Sequence, residues 1–296
     1  MPSLLDLRRR IKSVKNTRQI TKAMKMVAAA KLKRAQDRVV SARPFAVKMT
    51  DVLGELSSRI TAEDFSHPLM DARGNERYLV VLMTADKGLC GAFNGNLIKA
   101  AQGFLKENAG KSVEMLPVGR KGRDFFRRRN VTFVAEYVGL TGAGQVNYND
   151  AREIAQNIIN VFTENEQIDK VFIVFSEFKT VLSQRVVVEQ ILPVTGSAGD
   201  EAIASATTGG DSADYIYEQE PSEIFSRLLP RLVETQVFRG MLESVASEQG
   251  SRMTAMDSAS KNAGELIDTL TLNMNRIRQA AITKEIIEVV SGAAAL

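Results

Sequence analysis

From Pro221 to Leu296 the chain has one internal proline, Pro230. Apolar or small residues return at Leu242, Ala246, Met253, Met256, Ala263, Ile267, Leu270, Met274, Ile277 and Ala281. Intervals of three, four and seven place these residues on one face of a helix. At 1.5 Å per residue, some 70 residues make a rod on the order of 100 Å long. A globule built from 296 residues cannot bury such a rod along its whole length, so its apolar stripe needs cover from elsewhere.

The other end of the chain offers that cover. Ser3, followed three residues later by Asp6, is a helix start signal: the hydroxyl caps free amides and the carboxylate suits the positive helix end. A 3-4 repeat then runs through Leu4, Leu7, Ile11 and Val14. It resumes at Ala28 and continues through Leu32, Ala35, Val39, Ala42, Ala46, Met49, Leu53, Leu56 and Ile60. Persistence over about eight heptads argues for a coiled coil. In the gap stand Arg18, Thr21 and Lys25, while the apolar residues shift to Ile20, Met24 and Val27. That shift predicts a seam that rotates and changes partner there. Pro44 is expected to kink the helix.

Between the rods the period changes. Tyr78–Met83, Val113–Val118, Val131–Val134, Val171–Phe175 and Val186–Leu192 are apolar runs of strand length, with helical patterns at Asn96–Asn108, Lys121–Arg129 and Asp150–Glu164. Alternating strands and helices predict βαβ units, and unbroken apolar runs predict buried parallel strands. Residues 61–77 read as a linker. Residues 194–214, rich in Ser, Gly, Ala and Thr, read as a mobile loop. The predicted organisation is a helix over 1–60, the linker, an α/β domain over 78–220, and a helix over 221–296. The domain returns the chain, so the two rods should pair antiparallel. The last turns, with Ile286, Val289, Val290 and Leu296, carry no charged side chain after Glu288. An apolar tip on a projecting rod suggests insertion into an apolar collar.

Charge is distributed unevenly. Residues 1–50 hold 14 Lys and Arg against Asp6 and Asp37, although the whole chain is only +4. The basic arm should attract an acidic partner: nucleic acid, lipid headgroups or an acidic protein surface. Before Phe45 no aromatic residue is interleaved with the basic ones, which removes base stacking. Cys90 is the sole cysteine, so no disulfide forms within the chain and a reducing compartment is expected. No apolar run is long enough to span a bilayer, and the start MPSLLDLRRR does not read as a secretory signal. The expectation is a soluble cytoplasmic protein that docks at a membrane through partners.

Signals for chemistry are weak. Asp86–Asn94, with Gly88 and Gly91, follows a strand and precedes a helix, where a doubly wound domain binds phosphate. Its spacing matches neither the dinucleotide fingerprint nor the Walker A pattern. The turn Gly119-Arg120-Lys121-Gly122 is no more specific. Cys90 has no base beside it in sequence, and the single histidine, His67, cannot make a metal site. Arg120, Lys121, Arg123, Arg127, Arg128 and Arg129 read as a solvated basic face. No catalytic constellation and no cofactor site emerge.

The residues at both ends resemble one family. Ile11 to Met24 (IKSVKNTRQITKAM) and Met26 to Leu32 resemble the N-terminal signature of the gamma subunits of F-type ATP synthases, bacterial type. Asp86 to Asn94, with its GLCG core, is similar to that family's central motif. Ser247-Glu248-Gln249, Arg252-Met253, Ala255-Met256, Asn275, Arg278-Gln279-Ala280, Ile282-Thr283, Glu285 and Ser291-Gly292-Ala293 resemble its C-terminal signature.

This resemblance implies an antiparallel coiled coil of the terminal helices and a central Rossmann-like α/β domain that binds no nucleotide. It implies a non-catalytic shaft inside a ring of three alpha and three beta subunits, one copy per ring. The foot would stand on the membrane c-ring beside the epsilon subunit, at the cytoplasmic face of the inner membrane, held there through partners only. It implies that proton flow turns the shaft while beta makes ATP. By position in the motifs, Lys22, Met24 and Lys25 and, on the other helix, Arg278, Gln279 and Thr283 would touch beta. Ile286, Val289, Val290 and Leu296 would form the bearing tip. The redox switch of chloroplast-type relatives needs a cysteine pair that this chain lacks. Competing expectations are a basic coiled-coil nucleic-acid binder and a nucleotide-binding α/β enzyme.

Overall fold

The computed structural model describes residues 3–59, 66–141, 146–164, 168–194 and 219–294. Most of the predicted loop 194–214, part of the 61–77 linker and Leu296 lie outside these. In chain order the elements are α1 (Leu4–Arg59), β1 (Arg77–Met83), α2 (Phe93–Glu107), β2 (Ser112–Val118), α3 (Arg120–Arg127), α4 (Tyr148–Glu164), β3 (Lys170–Phe178), β4 (Gln184–Leu192) and α5 (Pro221–Ala294). Two compact units result: Ala30–Ser251, and Met1–Ala29 with Arg252–Leu296. Helices α1 and α5 contribute to both. Helix α1 stays helical through Pro44 and α5 through Pro230.

In the larger unit the sheet order is β2-β1-β3-β4, with β1 parallel to both β2 and β3. Alternation along β1 divides the core. Val80 and Leu82 pack with Leu97 and Ala101 of α2 and Phe126 of α3. The opposite face carries Met83, and Ile173 of β3 beside it; a Cβ added at Gly240 would lie 3.0 Å from Ile173 Cδ1 and 3.2 Å from Met83 Sδ. That absent side chain lets α5 sit close on the sheet, with α4 beside it through the Tyr148–Phe238 ring contact.

Two strand expectations are corrected. Strand β4 pairs antiparallel with β3, not parallel, because the five residues between them are too few for a crossover. Its half-exposed pattern is that of a sheet edge. Val131–Val134 is not a strand. It makes an isolated bridge, Met115↔Phe133, and Val118↔Tyr137 follows further along. The Met115 and Gly119 N–H groups point out to this segment, bonding the carbonyls of Thr132 and Tyr137. Position 117 lies between them on the same side, and Pro117 has no N–H to give, so the ladder breaks there.

Residues 241–250 of α5 are buried all round. Three polar side chains on this stretch bond the sheet. Glu243 Oε2 accepts the Phe178 N–H (2.9 Å), Ser244 Oγ accepts the Ser176 N–H (3.2 Å), and Ser247 Oγ donates to the Ser176 carbonyl (2.9 Å). On the far side Arg43 of α1 reaches Glu243 Oε1 at 3.1 Å. The signature around Ser247 is thus a structural clamp on the end of β3.

The smaller unit is a two-helix coil. Its first turn is closed by Ser3 Oγ, which donates to Asp6 Oδ2 (2.8 Å) and accepts the Asp6 N–H (3.1 Å). Lys25 Nζ meets Asp257 Oδ1 at 2.6 Å, and the Arg18 guanidinium lies 3.7 Å from where a Gly264 Cβ would stand. Seven residues back along α1 match seven residues on along α5, so the helices run antiparallel in register.

The seam does not rotate at Arg18, Thr21 and Lys25, which corrects the sequence expectation. The 3-4 spacing continues through them, and Thr21 is 8% exposed whereas Ile20 and Val27 are 60% and 57% exposed. Thr21 and Lys25 keep their seam positions with partners, Thr21 Oγ1 on the Arg18 carbonyl at 3.1 Å and Lys25 on Asp257, while Arg18 is exposed with its guanidinium beside Gly264.

Candidate functional site

The glycine turns are built for tight packing. Gly119 has φ 99°, and a Cβ there would lie 2.0 Å from the Thr84 carbonyl oxygen. The first amides of α3 are all taken within the chain. Arg120 N–H bonds Asp86 Oδ1 (3.0 Å), Lys121 N–H the Ala85 carbonyl (3.1 Å), and Gly122 N–H Thr84 Oγ1 (2.9 Å). Asp86 also accepts from the Gly139 N–H and the Thr141 hydroxyl, each at 3.0 Å. A carboxylate therefore sits against the N-terminus of α3, where an anion would otherwise meet free amides. Cys90 is buried, with Asn94 Nδ2 at 3.1 Å from its sulfur. Among the described residues no group of His, Cys, Asp and Glu is placed to hold a metal.

One surface without an internal role lies on the coil. Taking Leu7, Ile11 and Val14 as the seam, Ile20, Ala23, Met26, Val27 and Ala30 fall on the face pointing away from α5, and all five are exposed. An outward coil face is ordinarily polar. This one is apolar over three turns and flanked by Arg8, Arg9, Arg10, Lys12, Lys15, Lys22 and Lys31. Met26 is not among the contact residues that position in the motif predicts on this helix, Lys22, Met24 and Lys25. The signal was available in the unbroken 3-4 count from Leu7 to Leu56.

The predicted contact residues occupy two stations. Lys22 is exposed, Met24 is half-buried, and Lys25 is engaged with Asp257. Arg278, Gln279 and Thr283 are exposed on α5, with Thr283 Oγ1 bonded to the Gln279 carbonyl at 2.9 Å. The coil register brings Arg278 level with Leu4, so the stations lie about 27 Å apart along the axis. Beyond Arg278, helix α5 therefore passes the start of α1. There Ile282, Ile286, Ile287, Val289 and Val290 are exposed, Val289 at 72%. Lys284 and Glu288 pair at 3.5 Å beside this apolar surface, and Glu285 is exposed between them.

The Lys25–Asp257 contact carries a pH signature. The Lys25 hydrogen bond, with Lys25 and Lys261 adding charge, holds Asp257 below the usual carboxylate range. A depressed folded pKa stabilises the coil above the ordinary value, and this contribution is lost as pH falls through the depressed one. Melting curves of the parent and of Asp257→Asn are expected to converge as pH drops below about 4. A constant difference between them from neutral to acid pH would assign the carboxylate no such role.

Among the described residues no helix is long and apolar enough to cross a membrane. The sequence profile of the family described as ATP synthase matches residues 3–296. The ATP synthase gamma chain of Solibacter usitatus is 50% identical over 297 residues, covering all of this chain and 99% of that relative. The gamma chain of Heliobacterium modesticaldum is 47% identical over 296 residues, with both chains fully covered. Among solved structures, a chain of the Tetrahymena thermophila mitochondrial ATP synthase central stalk and c-ring aligns with a TM-score of 0.59 at 29% identity. It covers 81% of this chain and 99% of that one. A chain of the Euglena gracilis mitochondrial enzyme aligns with a TM-score of 0.67 at 19% identity, over 99% and 94% of the two chains, a likeness of fold. With a coil of this kind and relatives matched from end to end, the chain belongs to the gamma-chain family of ATP synthase, the rotor subunit and not the catalytic one.

Proposed function

We propose that this chain is the central shaft through which proton flow across a membrane c-ring is coupled to ATP synthesis and hydrolysis on beta subunits. One copy turns within a ring of three alpha and three beta subunits, with the epsilon subunit beside its foot. It stands at the cytoplasmic face of the inner membrane, held peripherally through these partners.

The observation that carries this reading is the division of labour on the coil. A shaft must carry torque without its helices slipping, and the seam combines apolar layers with the Lys25–Asp257 pair, which fixes register. It must also turn without being trapped. The exposed face around Ile20 and Val27 and the tip around Ile286, Val289 and Val290 offer few hydrogen bonds to break. The surrounding cations supply attraction to acidic levers on beta, worth more in encounter rate and orientation than in grip. Lys22 and Met24 serve one station, with Lys25 holding the helices in place behind them. Arg278, Gln279 and Thr283 serve the second.

Mixing the full chain with alpha and beta subunits should give a stable complex holding one copy, with altered MgATP hydrolysis. Failure to assemble would remove the shaft reading. Within the assembled enzyme, Arg278→Ala with Gln279→Ala should lower coupled ATP synthesis roughly threefold, since exposed polar contacts are each worth under about 1 kcal/mol. Unchanged coupling would take the second station off the contact surface.

A further inference from the structure

In the unit Ala30–Ser251, a cavity of about 200 Å3 opens between α1, α4 and α5. The shaft reading makes no use of it. Its origin is local. The α1 seam carries alanine at Ala42 and Ala46, and Pro44 between them has no N–H to complete the helical ladder. Across the gap stand the rings of Phe238 and Tyr148, edge to face with centroids 5.4 Å apart, and Phe45 is exposed at the mouth. Protein interiors rarely leave a void of this size unfilled. An apolar cavity of roughly 150 Å3 already accepts a benzene-sized guest.

The arginines at the mouth have hydrogen-bond donors to spare. Glu243 is fully engaged, Oε1 with Arg43 and Oε2 with the Phe178 N–H. Glu234 is engaged by the Tyr148 hydroxyl at 2.7 Å and by Arg152 at 3.6 Å. Burial and that hydrogen bond push the Tyr148 phenol up to about 12, so this wall stays neutral. The arginines are less committed. Arg43 bonds Glu243 through one nitrogen of a five-donor fork, and Arg239 lies 3.7 Å from Glu189, beyond a good hydrogen bond. Both side chains are about half exposed.

We propose that this cavity is a binding site for a small organic anion, with an aromatic or compact aliphatic body among Phe45, Tyr148, Phe238 and Leu242 and a carboxylate or sulfonate head on Arg43 and Arg239. Small-ligand sites have this composition: an apolar pocket with a few placed polar groups. Arginine suits a planar carboxylate because it can offer two parallel donors.

The test is calorimetric titration of the full-length chain with 1-naphthoate, alongside neutral 1-naphthylmethanol and cationic 1-naphthylmethylammonium. Saturable one-to-one binding is expected, with the anion at least about tenfold tighter than the cation. Arg239→Gln should weaken naphthoate by roughly fivefold to tenfold and leave the neutral alcohol unchanged. Ala42→Phe fills the cavity and should abolish binding of all three. Should that variant fail to fold, Phe45→Ala carries the steric arm, because an exposed ring can be removed without opening the core. Absence of saturation up to about 10 mM, equal binding of cation and anion, or binding that survives both surface variants overturns the proposal.

Discussion

Arg43→Ala is expected to destabilise the unit that contains the sheet by about 3 kcal/mol, lowering its melting temperature by roughly 10 °C. The reasoning rests on an asymmetry. The Arg43 side chain is 53% exposed, but its partner Glu243 is 4% exposed. Removing the arginine leaves a carboxylate inside the packing of α1, α5 and β3 with the Phe178 N–H as its remaining support. Removing the carboxylate's charge as well should recover much of the loss. In Arg43→Ala with Glu243→Gln, the amide oxygen can still accept from Phe178 and no buried charge is stranded. Thermal unfolding followed by circular dichroism decides the matter. A single variant within about 0.5 kcal/mol of the parent would mean that Glu243 does not depend on Arg43.

The elements that sequence reading found most readily were those with a long, self-consistent period. Helix α5 was legible from Pro221 onward because a 3-4 repeat sustained over so many turns has no strand alternative. Strands β1, β2 and β3 were legible as apolar runs, and each is longer by one or more residues than its apolar stretch. What failed was pairing. The residues of β4 do not say which way its neighbour runs; the five-residue hairpin does, and it contains neither Gly, Pro nor Asn to mark it. Val131–Val134 has strand composition, but Pro117, on a different segment, removes the bond it would need. Such a veto is visible only when the two segments are placed side by side.

The same limit applies to the coil. Arg18, Thr21 and Lys25 look like a fault in the apolar repeat when α1 is read alone. Asp257 and Gly264, more than 230 residues later, make them acceptable: one supplies a counter-charge and the other leaves room for a guanidinium. The terminal motifs identified the family. They could not show that Lys25 faces inward, that Met26 faces outward, or that the Ser247 motif serves the sheet rather than a partner. Asp86, from the turn after β1, caps the start of α3: there the fold answers a helix dipole with its own carboxylate.

The outward face of α1 gives the functional reading its sharpest test. Ile20→Glu with Val27→Glu should reduce coupled ATP synthesis by at least about tenfold in reconstituted vesicles, while the coil itself remains folded. Neither residue touches the seam, and both are exposed, so glutamate costs α1 little: its helix propensity is at least as good as that of the β-branched residues it replaces. The loss must then arise in the assembly. Two carboxylates would sit at the centre of an apolar patch and, on the proposed function, face acidic levers that the flanking lysines otherwise attract. Desolvating them against like charge costs several kcal/mol at every step in which that face is engaged. Ile20→Gln with Val27→Gln separates the two causes. It removes the apolar surface without adding charge, so its deficit should be smaller and nearly independent of salt, whereas that of the glutamate pair should shrink as ionic strength rises. If the glutamate variant couples within about twofold of the parent, the stripe between Ile20 and Ala30 faces no lever, and the contact that drives catalysis lies elsewhere on the shaft.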